Sequence, residues 1–499
     1  IGPERSESGK AMLANDPHLE VNRLPAVWYE VVIEGGDRWA IAATMPGIPG
    51  LVTARTPDLA WGPTYAFMDA IDSWVEHCKD GQFRRGENWE SFDLRQETIE
   101  RKGKQPVTVT FYENMHGVLE GDPSSVEEQH LLCTRWAGSS MGALSFNAMI
   151  QMWDVTDVVS GMEVIRELEG AFSWVLADAD GNIGFQMSGL MPARKDGWLG
   201  FAPMPGWIED NDWRGVMPSA ELPSCLNPEA GFFATANQDL NAYGVARPIT
   251  VHQGPYRADR IAEIICEKKK LSREDMAAIQ LDMRSAQAPL FMEVLRPLLP
   301  DTPQGKLLAE WDYGYELSSR GAFLFERVYQ EILRSVFGPH LGQEVLSFLW
   351  DGTGMFADFF INFDRVLLSD ESSWFMKDRA TLYREAADRA LQIEPRPWGQ
   401  GRELVLSHIL FGGKLPAWMG FDRGPIQLAG GRATPNQGQL YRSGDRATSF
   451  APSIRFLTDF AEDAAHTRLM GGVSDRRFSK LYCNELDPWL AGTYKKLQP

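Results

Sequence analysis

The stretch Ser6-Glu7-Ser8-Gly9-Lys10-Ala11-Met12-Leu13-Ala14-Asn15-Asp16-Pro17-His18-Leu19 decides the fold that we expect for this chain. A small polar turn leads into the apolar run from Ala11 to Ala14, whose length is typical of one buried strand. The run ends at Asn15-Asp16-Pro17, where the proline fixes φ and removes a backbone donor. His18 therefore lies on a turn at a strand end, where rigid scaffolds often place chemistry.

Composition excludes several classes of protein. The 499 residues are 44% hydrophobic and carry a formal net charge of -19, which argues against nucleic acid or an anionic membrane surface as a partner. No apolar run approaches the roughly 18 residues of a transmembrane helix, and the sequence predicts no signal peptide at its start. The cysteines contain no C-x-x-C pair and the histidines no H-x-x-x-H spacing, so we expect no transition-metal site.

The first half of the chain is typical of β structure. Residues 27–33 and 39–45 alternate in the manner of strands and flank Gly35-Gly36, which predicts a hairpin. A second hairpin is indicated at 172–187, where two apolar runs flank the turn around Gly181.

Beyond residue 255 the periodicity becomes helical. Apolar residues recur at spacings of three and four from 256 to 265. Ser272 followed by Asp275 predicts an N-cap with an acidic partner, and 320–340 and 375–395 are also predicted helices. Strands first and helices second indicate an α+β fold.

Several short motifs occur along nearly the whole chain. They are Met45-Pro46-Gly47-Ile48-Pro49-Gly50, Ala60-Trp61-Gly62-Pro63-Thr64, His116-Gly117, Arg135-Trp136, Ala236-Asn237, Tyr256-Arg257-Ala258-Asp259-Arg260-Ile261, Gly471-Gly472-Val473-Ser474 and Trp489-Leu490-Ala491-Gly492. With the opening stretch, their order resembles the β chain of the penicillin amidase family, which consists of N-terminal nucleophile amidohydrolases cleaved from precursors. A shared order at comparable spacing is hard to obtain by chance.

The resemblance implies a fold and a chain organisation. The expected fold is a four-layer αββα sandwich, built mainly from 1–254 and 431–499, with a helical region inserted at 255–430. The family's nucleophilic serine is the first residue of the β chain, and the matching position lies a few residues before Ile1. The resemblance also implies an α subunit from the same precursor and a periplasmic or secreted location.

The resemblance also implies catalytic residues. Amide hydrolysis needs a nucleophile, a base and donors for the developing oxyanion, and a terminal serine can use its own α-amine as the base. The oxyanion donors fall on the Asn237 side chain and the Tyr65 backbone N–H. His18 matches a residue that orients the nucleophile, and Arg260 matches an arginine that supports the site. On residue type alone, Asn237 could be a turn residue and Arg260 a surface ion pair.

The substrate and metal positions follow in the same way. Leu19, Pro63 and Phe172 match positions of the acyl pocket, and all three are apolar, although core packing would account for them equally well. Asp69, the carbonyl of Ile71 and Asp72 match calcium ligands, and hard oxygen ligands suit Ca²⁺. A further aspartate of the family has no counterpart, because its position falls near Ile249. An ordinary acidic turn is the alternative for Asp69 and Asp72.

The predicted reaction is hydrolysis of an N-acyl amide, with penicillin-type β-lactams and acyl-homoserine lactones among the family's substrates. Two alternatives remain open at the level of sequence. The first is a non-catalytic relative that binds an acyl ligand without cleaving it, or an inactive fragment that lacks the nucleophile. The second is an esterase: Gly138-Ser139-Ser140-Met141-Gly142 fits the nucleophile-elbow pattern G-x-S-x-G, with His252 or His408 as base. The strand-rich first half lacks the strand–helix alternation that this second fold needs.

Overall fold

The computed structural model describes residues 1–36, 38–138, 142–443 and 446–499, with no side chains described for 442–448. Both predicted hairpins are confirmed. Tyr29–Gly35 pairs antiparallel with Arg38–Thr44, and Phe172–Asp178 pairs antiparallel with Ile183–Met187. Gly36 has a φ of +62°, a conformation that glycine adopts without steric cost.

The described strands form two large sheets. The first has, from edge to edge, Ser224–Leu226, Ile183–Met187, Phe172–Asp178, Leu59–Tyr65, Thr53–Arg55, Arg38–Thr44 and Tyr29–Gly35. The second has Asn88–Ser91, Gln82–Arg85, Ile71–Lys79, Gln129–Trp136, Gly117–Glu120, Val107–Asn114 and Asp93–Ile99, with Met204–Pro205 beside Ile71–Lys79.

Three smaller sheets complete the described β structure. The first has Met12–Asn15, Ile454–Asp459, Ala465–Leu469 and Lys495–Leu497. The second has Arg423–Gln427, Glu403–His408 and Arg23–Leu24, and the third has His18–Glu20, Arg446–Pro452 and Gln439–Ser443. The strand predicted from Ala11 to Ala14 therefore exists one residue later, as Met12–Asn15.

Helices are concentrated after residue 255, as the periodicity predicted. The α-helices are Gly142–Gln151, Val158–Ile165, Tyr256–Glu267, Arg273–Gln280, Gln287–Leu295, Pro303–Ala309, Arg320–Ser347, Met355–Asp358, Phe360–Leu368, Arg379–Ala390 and Leu486–Leu490. The predicted cap is present: the Ser272 hydroxyl accepts from the Asp275 N–H, and the Asp275 carboxylate accepts from the Ser272 N–H.

The first large sheet has helices packed on one face and a second sheet packed on the other. Gly142–Gln151 and Val158–Ile165 cover one face of this sheet through a cluster that includes Trp61 and Leu176. The other face meets the sheet of Met12–Asn15, because Leu13, Ile41, Ala60, Ala177 and Phe456 share one buried cluster. Met12 and Leu457 turn to the far side, where they pack against Ile265, Met276 and Ile279 of two helices.

The strand Met12–Asn15 contacts the first sheet closely at Gly62 and Pro63. The Asn15 side-chain nitrogen donates to the carbonyl of Pro63 at 3.0 Å. A Cβ built on Gly62 would lie 2.5 Å from Cγ of Asn15, so any larger residue would collide with it. Gly62 is therefore required for contact between these strands, and the residues that follow each of them are held near one another.

We expect Gly62→Ala to destabilise the protein by about 1–3 kcal/mol, because the new methyl group overpacks a buried contact with Asn15. Chemical denaturation measures the change in the free energy of unfolding. Gly142→Ala is the matched control, since a Cβ there meets no heavy atom within 4 Å. Equal stability of the two variants would contradict the close approach.

Candidate active site

A cavity of about 500 Å³ lies where the strand Met12–Asn15 ends, between the first sheet and the helix Tyr256–Glu267. It brings together most of the residues that the sequence singled out. Those lining it are His18, Leu19, Pro63, Tyr65, Phe172 and Asn237. Arg260 is not among its lining residues.

The Asn237 side chain is held in a single orientation. Its Oδ1 accepts from Nη2 of Arg257 at 2.5 Å, and its Nδ2 donates to the carbonyl of Tyr65 at 2.7 Å. The backbone of Asn237 has a φ of +69°, in the left-handed region that asparagine tolerates better than most residues. Because an amide nitrogen carries two hydrogens, one N–H remains for a further acceptor.

Arg257 organises the loop around Asn237, and the sequence analysis did not single it out. Its Nη2 also donates to the carbonyl of Ala236 at 2.8 Å and to Oε1 of Gln253 at 2.6 Å. Burial lowers the pKa of Arg257 to about 10, so the guanidinium remains charged at neutral pH. The sequence does show two arginines, in Tyr256-Arg257-Ala258-Asp259-Arg260. Their spacing does not indicate which of the two faces a cavity.

The structure places Arg260 in a separate ion-pair cluster. Its Nε and Nη2 donate to the two carboxylate oxygens of Asp282 at 3.1 and 3.0 Å, and its Nη1 donates to Glu263 at 2.8 Å. The guanidinium of Arg260 is committed to these carboxylates, and Asp282 in turn accepts through its backbone carbonyl from the N–H of Asn436, next to the cavity.

The pKa values of His18 and Asp16, which both line the cavity, are shifted as well. Burial, together with the positive charges of Arg257 and Arg455, holds the pKa of His18 well below its usual value. His18 is therefore neutral at pH 7, and its Nε2 accepts from the Gln437 N–H at 3.4 Å. Burial raises the pKa of Asp16 to about 7, against the opposing effect of the same two arginines.

The remaining walls are mainly apolar. Leu19, Pro63 and Phe172 line the cavity together with Trp28, Met45, Val52, Phe67, Val175 and Phe450. Tyr65 packs edge-on against Phe172 and Phe67, with ring centroids 6.2 and 4.9 Å away, and is 54% exposed. The arrangement offers a hydrophobic chamber beside one backbone and one side-chain amide.

The predicted calcium ligands are bridged by an arginine. Arg194 donates from Nε to Oδ2 of Asp72 at 2.7 Å and from Nη2 to Oδ1 of Asp69 at 2.9 Å. Trp213 also donates to Oδ2 of Asp72, at 2.6 Å. The Arg194 side chain is only 6% exposed, so a guanidinium fills the space between the carboxylates.

These residues do not fit a calcium ion at that position. Ca²⁺ needs six to eight oxygen ligands at roughly 2.3–2.6 Å, whereas the oxygens here accept from N–H groups. Ile71, whose carbonyl was the third predicted ligand, begins the strand Ile71–Lys79, and the buried Ile249 brings no carboxylate. Within the described residues, no cluster of three or more His, Cys, Asp or Glu side chains suits a metal.

Only the two histidines of the esterase alternative can be placed, and the hydrogen bonds described for them join them to other residues. Ser140 lies outside the described residues. His252 contacts the carbonyl of Gln253 through Nδ1 and the guanidinium of Arg365 through Nε2. His408 uses Nδ1 to accept from the N–H groups of Leu410 and Phe411.

Known proteins are similar to this chain in sequence and in structure. The sequence profile of the family described as penicillin amidase matches residues 1–498. The acyl-homoserine lactone acylase QuiP of Pseudomonas fluorescens (strain Pf0-1) is 28% identical over 99% of this chain and 64% of its own length. The penicillin acylase 2 proenzyme of Pseudomonas sp. (strain SE83) is 25% identical over 98% of this chain and 65% of its own length. The chain thus spans somewhat less than two thirds of these relatives.

A solved structure shares the fold. The thermostable penicillin G acylase of Alcaligenes faecalis superposes with a TM-score of 0.77 over 100% of this chain and 95% of that one, at 16% sequence identity. The observed mixture of sheets and helices is therefore the fold of that acylase. Among the described residues, no helix is both long enough and apolar enough to cross a bilayer.

Treatment with EDTA is expected to leave the thermal midpoint of the protein unchanged. The cation between Asp69 and Asp72 is the guanidinium of Arg194, which a chelator cannot remove. Removing it in Arg194→Ala leaves the buried Asp72 and the half-buried Asp69 without their cation and should cost about 3–5 kcal/mol. Added Ca²⁺ should raise the melting temperature of this variant and not that of the wild type. The control is Arg214→Ala, which loses an exposed pair with Asp210. A fall of the wild-type midpoint in EDTA would contradict the arginine bridge.

The raised pKa of Asp16 predicts a pH dependence of stability. Between its unfolded pKa of about 4 and its folded value of about 7, the folded state holds the proton more tightly. Asp16 therefore stabilises the fold at low pH, and this contribution is lost as pH rises to 7, by at most about 1.4 kcal/mol per pH unit. Denaturant unfolding at several pH values should show this slope in the wild type and not in Asp16→Asn. Parallel pH profiles of the two proteins would contradict the shift.

Proposed function

The chain belongs to the penicillin amidase family, and on this premise we propose that it forms the catalytic part of an amidohydrolase that cleaves N-acyl amides through an acyl-enzyme. One observation carries the proposal. The amide of Asn237, fixed by Arg257, lies beside the backbone of Tyr65 in a chamber with apolar walls. Acyl transfer needs both features, since the donors stabilise the oxyanion and the walls hold the acyl group.

The proposed nucleophile is a serine located a few residues before Ile1 in the mature chain. Ile1 itself lines the cavity, so a residue shortly before it is within reach of Asn237. Each extended residue adds at most about 3.6 Å, which limits the nucleophile to this neighbourhood. The serine α-amine accepts the hydroxyl proton, and the oxygen bonds to the acyl carbon of the substrate.

The oxyanion formed by that attack needs preorganised donors. The free N–H of Asn237 and the backbone N–H of Tyr65 are the proposed pair, and Arg257 keeps the Asn237 nitrogen rather than its oxygen turned inward. Collapse of the intermediate breaks the carbon–nitrogen bond, and the amine leaves with the proton from the terminal ammonium. Water then attacks the ester and releases the carboxylic acid.

The acyl group of the proposed substrate is hydrophobic. Leu19, Pro63 and Phe172 are the proposed contacts, with Phe67 and Tyr65 narrowing the entrance by their edge-on rings. Relatives named acyl-homoserine lactone acylase and penicillin acylase make N-acyl-homoserine lactones and penicillins the substrates to test.

The proposed whole enzyme includes an α subunit from the same precursor. Its presence would explain why Ile409, Leu410, Trp418 and Phe478 are 63–85% exposed, since large apolar side chains in one area mark contact surfaces. The segments that carry them are joined by a hydrogen bond from Arg477 to the carbonyl of Met419. The sheet-on-sheet contact with helices on both outer faces supports the αββα sandwich, and a periplasmic or secreted location completes the proposal.

The test is hydrolysis of N-acyl-homoserine lactones by the full-length processed protein. Asn237→Ala should reduce kcat about 10²–10³-fold with little change in KM, because the lost hydrogen bond forms mainly in the transition state. Asn237→Asp should fail similarly, because its carboxylate can still accept from Arg257 but has no N–H for the oxyanion.

Ser140→Ala is the control, and it should retain full activity. Unchanged activity of both Asn237 variants would contradict the proposed oxyanion site, and loss of activity in Ser140→Ala would favour the esterase. Saturable binding of the acyl lactone without any release of free acid would indicate a protein that binds acyl ligands without cleaving them.

A further inference from the structure

A second cavity, of about 290 Å³, is unusually rich in arginine. Arg327, Arg396, Arg402 and Arg432 all line it, and we call it the arginine cavity. Glu326 is the one carboxylate among the described residues that line it. A cluster of four guanidinium groups is unexpected in a protein whose formal net charge is -19.

The single carboxylate cannot neutralise the cluster. Glu326 pairs with Nη1 of Arg432 at 2.5 Å through one oxygen, and its other oxygen accepts from the hydroxyl of Tyr315 at 2.8 Å. Among the described residues, Arg327, Arg396 and Arg402 have no carboxylate within 4.0 Å. The cavity therefore carries an excess of about three positive charges at neutral pH.

Arg402, which is half-buried, is the most informative member, because no carboxylate among the described residues lies within 4.0 Å of its guanidinium. Its guanidinium lies 3.9 Å from the ring centroid of Trp398, and Nη2 donates to the carbonyl of Gly438. Its Nε is buried and has no hydrogen-bond partner, and the same holds for Nε of Arg432. Burial lowers the pKa of Arg402 to about 10, and the charge of Glu326 opposes this shift only in part. Buried charges in proteins are normally paired, because desolvation of an unpaired ion is costly.

The walls favour an organic anion. Phe323, Trp350, Phe356 and Trp398 line the cavity between the arginines. The guanidinium of Arg396 lies 5.0 Å from the ring centroid of Phe323. Arg396 and Arg327 are exposed, so these two form a charged rim above the half-buried Arg402. Guanidinium forks match the two oxygens of a carboxylate, and aromatic faces accept carbon chains.

We propose that the arginine cavity binds a di- or tricarboxylate group, with Arg402 and Arg432 at its base and Arg327 and Arg396 at its rim. The carboxylates come from a free organic acid or from acidic side chains of polypeptide outside this chain. The binding chemistry is the same in both cases. The site is distinct from the proposed oxyanion donors, although Gln439 lines both cavities.

The test uses the full-length processed protein with citrate as the probe. Trp350 and Trp398 line the cavity, so their fluorescence should change saturably on titration, and the thermal midpoint should rise. Arg402→Gln should weaken citrate binding at least tenfold, while Arg214→Gln on the surface should not alter it. Phosphate should bind more weakly than citrate, and sodium chloride at equal ionic strength should give no response.

Stability of the variants identifies the source of the carboxylate. If the ligand is a free organic acid, citrate raises the thermal midpoint of the wild type and not that of Arg402→Gln, whatever stability the variant loses with its contacts to Trp398 and Gly438. If polypeptide outside this chain supplies the carboxylates, citrate has no effect, and Arg402→Gln lowers the midpoint of the full-length processed protein more than Arg402→Lys, which keeps the charge. Absence of a citrate response together with equal midpoints of Arg402→Gln and Arg402→Lys would overturn the proposal.

Discussion

The hydrogen bonds donated by the buried guanidinium of Arg257 are the constraint on which the candidate active site depends. One nitrogen contacts the Asn237 side chain, the Ala236 carbonyl and Gln253, so the loop carrying Asn237 is tied to the first turn of the helix Tyr256–Glu267. A cation near a helix N-terminus is electrostatically unfavourable. These three acceptors offset part of that cost, and the left-handed backbone of Asn237 turns its amide towards Tyr65.

Local features of this fold could be predicted from local sequence. The hairpin around Gly36, the capping box of Ser272 and Asp275 and the strand after Lys10 depend on residues close together in the chain. Most of the predicted residues that line the cavity could be identified because they match positions in motifs that follow the family's order. The choice between Arg257 and Arg260 could not, because three residues along one helix separate them and only the packing direction of that helix decides which one meets Asn237.

A contact between distant segments explains why the predicted calcium ligands hold an arginine. Asp69 and Asp72 are close in sequence and could equally have held a metal. Arg194 lies 122 residues beyond Asp72 in the sequence, and the fold brings it between the two carboxylates. A long-range ion pair of this kind has no local pattern. The carboxylates could therefore be identified as a cation site, whereas the cation itself could not be inferred.

The buried arginines differ in whether carboxylates compensate their charge. Arg194 meets two carboxylates, so its charge is compensated within the fold and its position is fixed. Arg257 and Arg455 donate mainly to neutral oxygens, and in the cavity burial together with their positive charges keeps His18 neutral. A neutral His18 with one ring nitrogen accepting from Gln437 is poorly suited to donate a proton. The same positive field favours an oxyanion in the chamber, because charges act strongly where water is excluded. The electrostatics of the cavity thus agree with a nucleophile that supplies its own base.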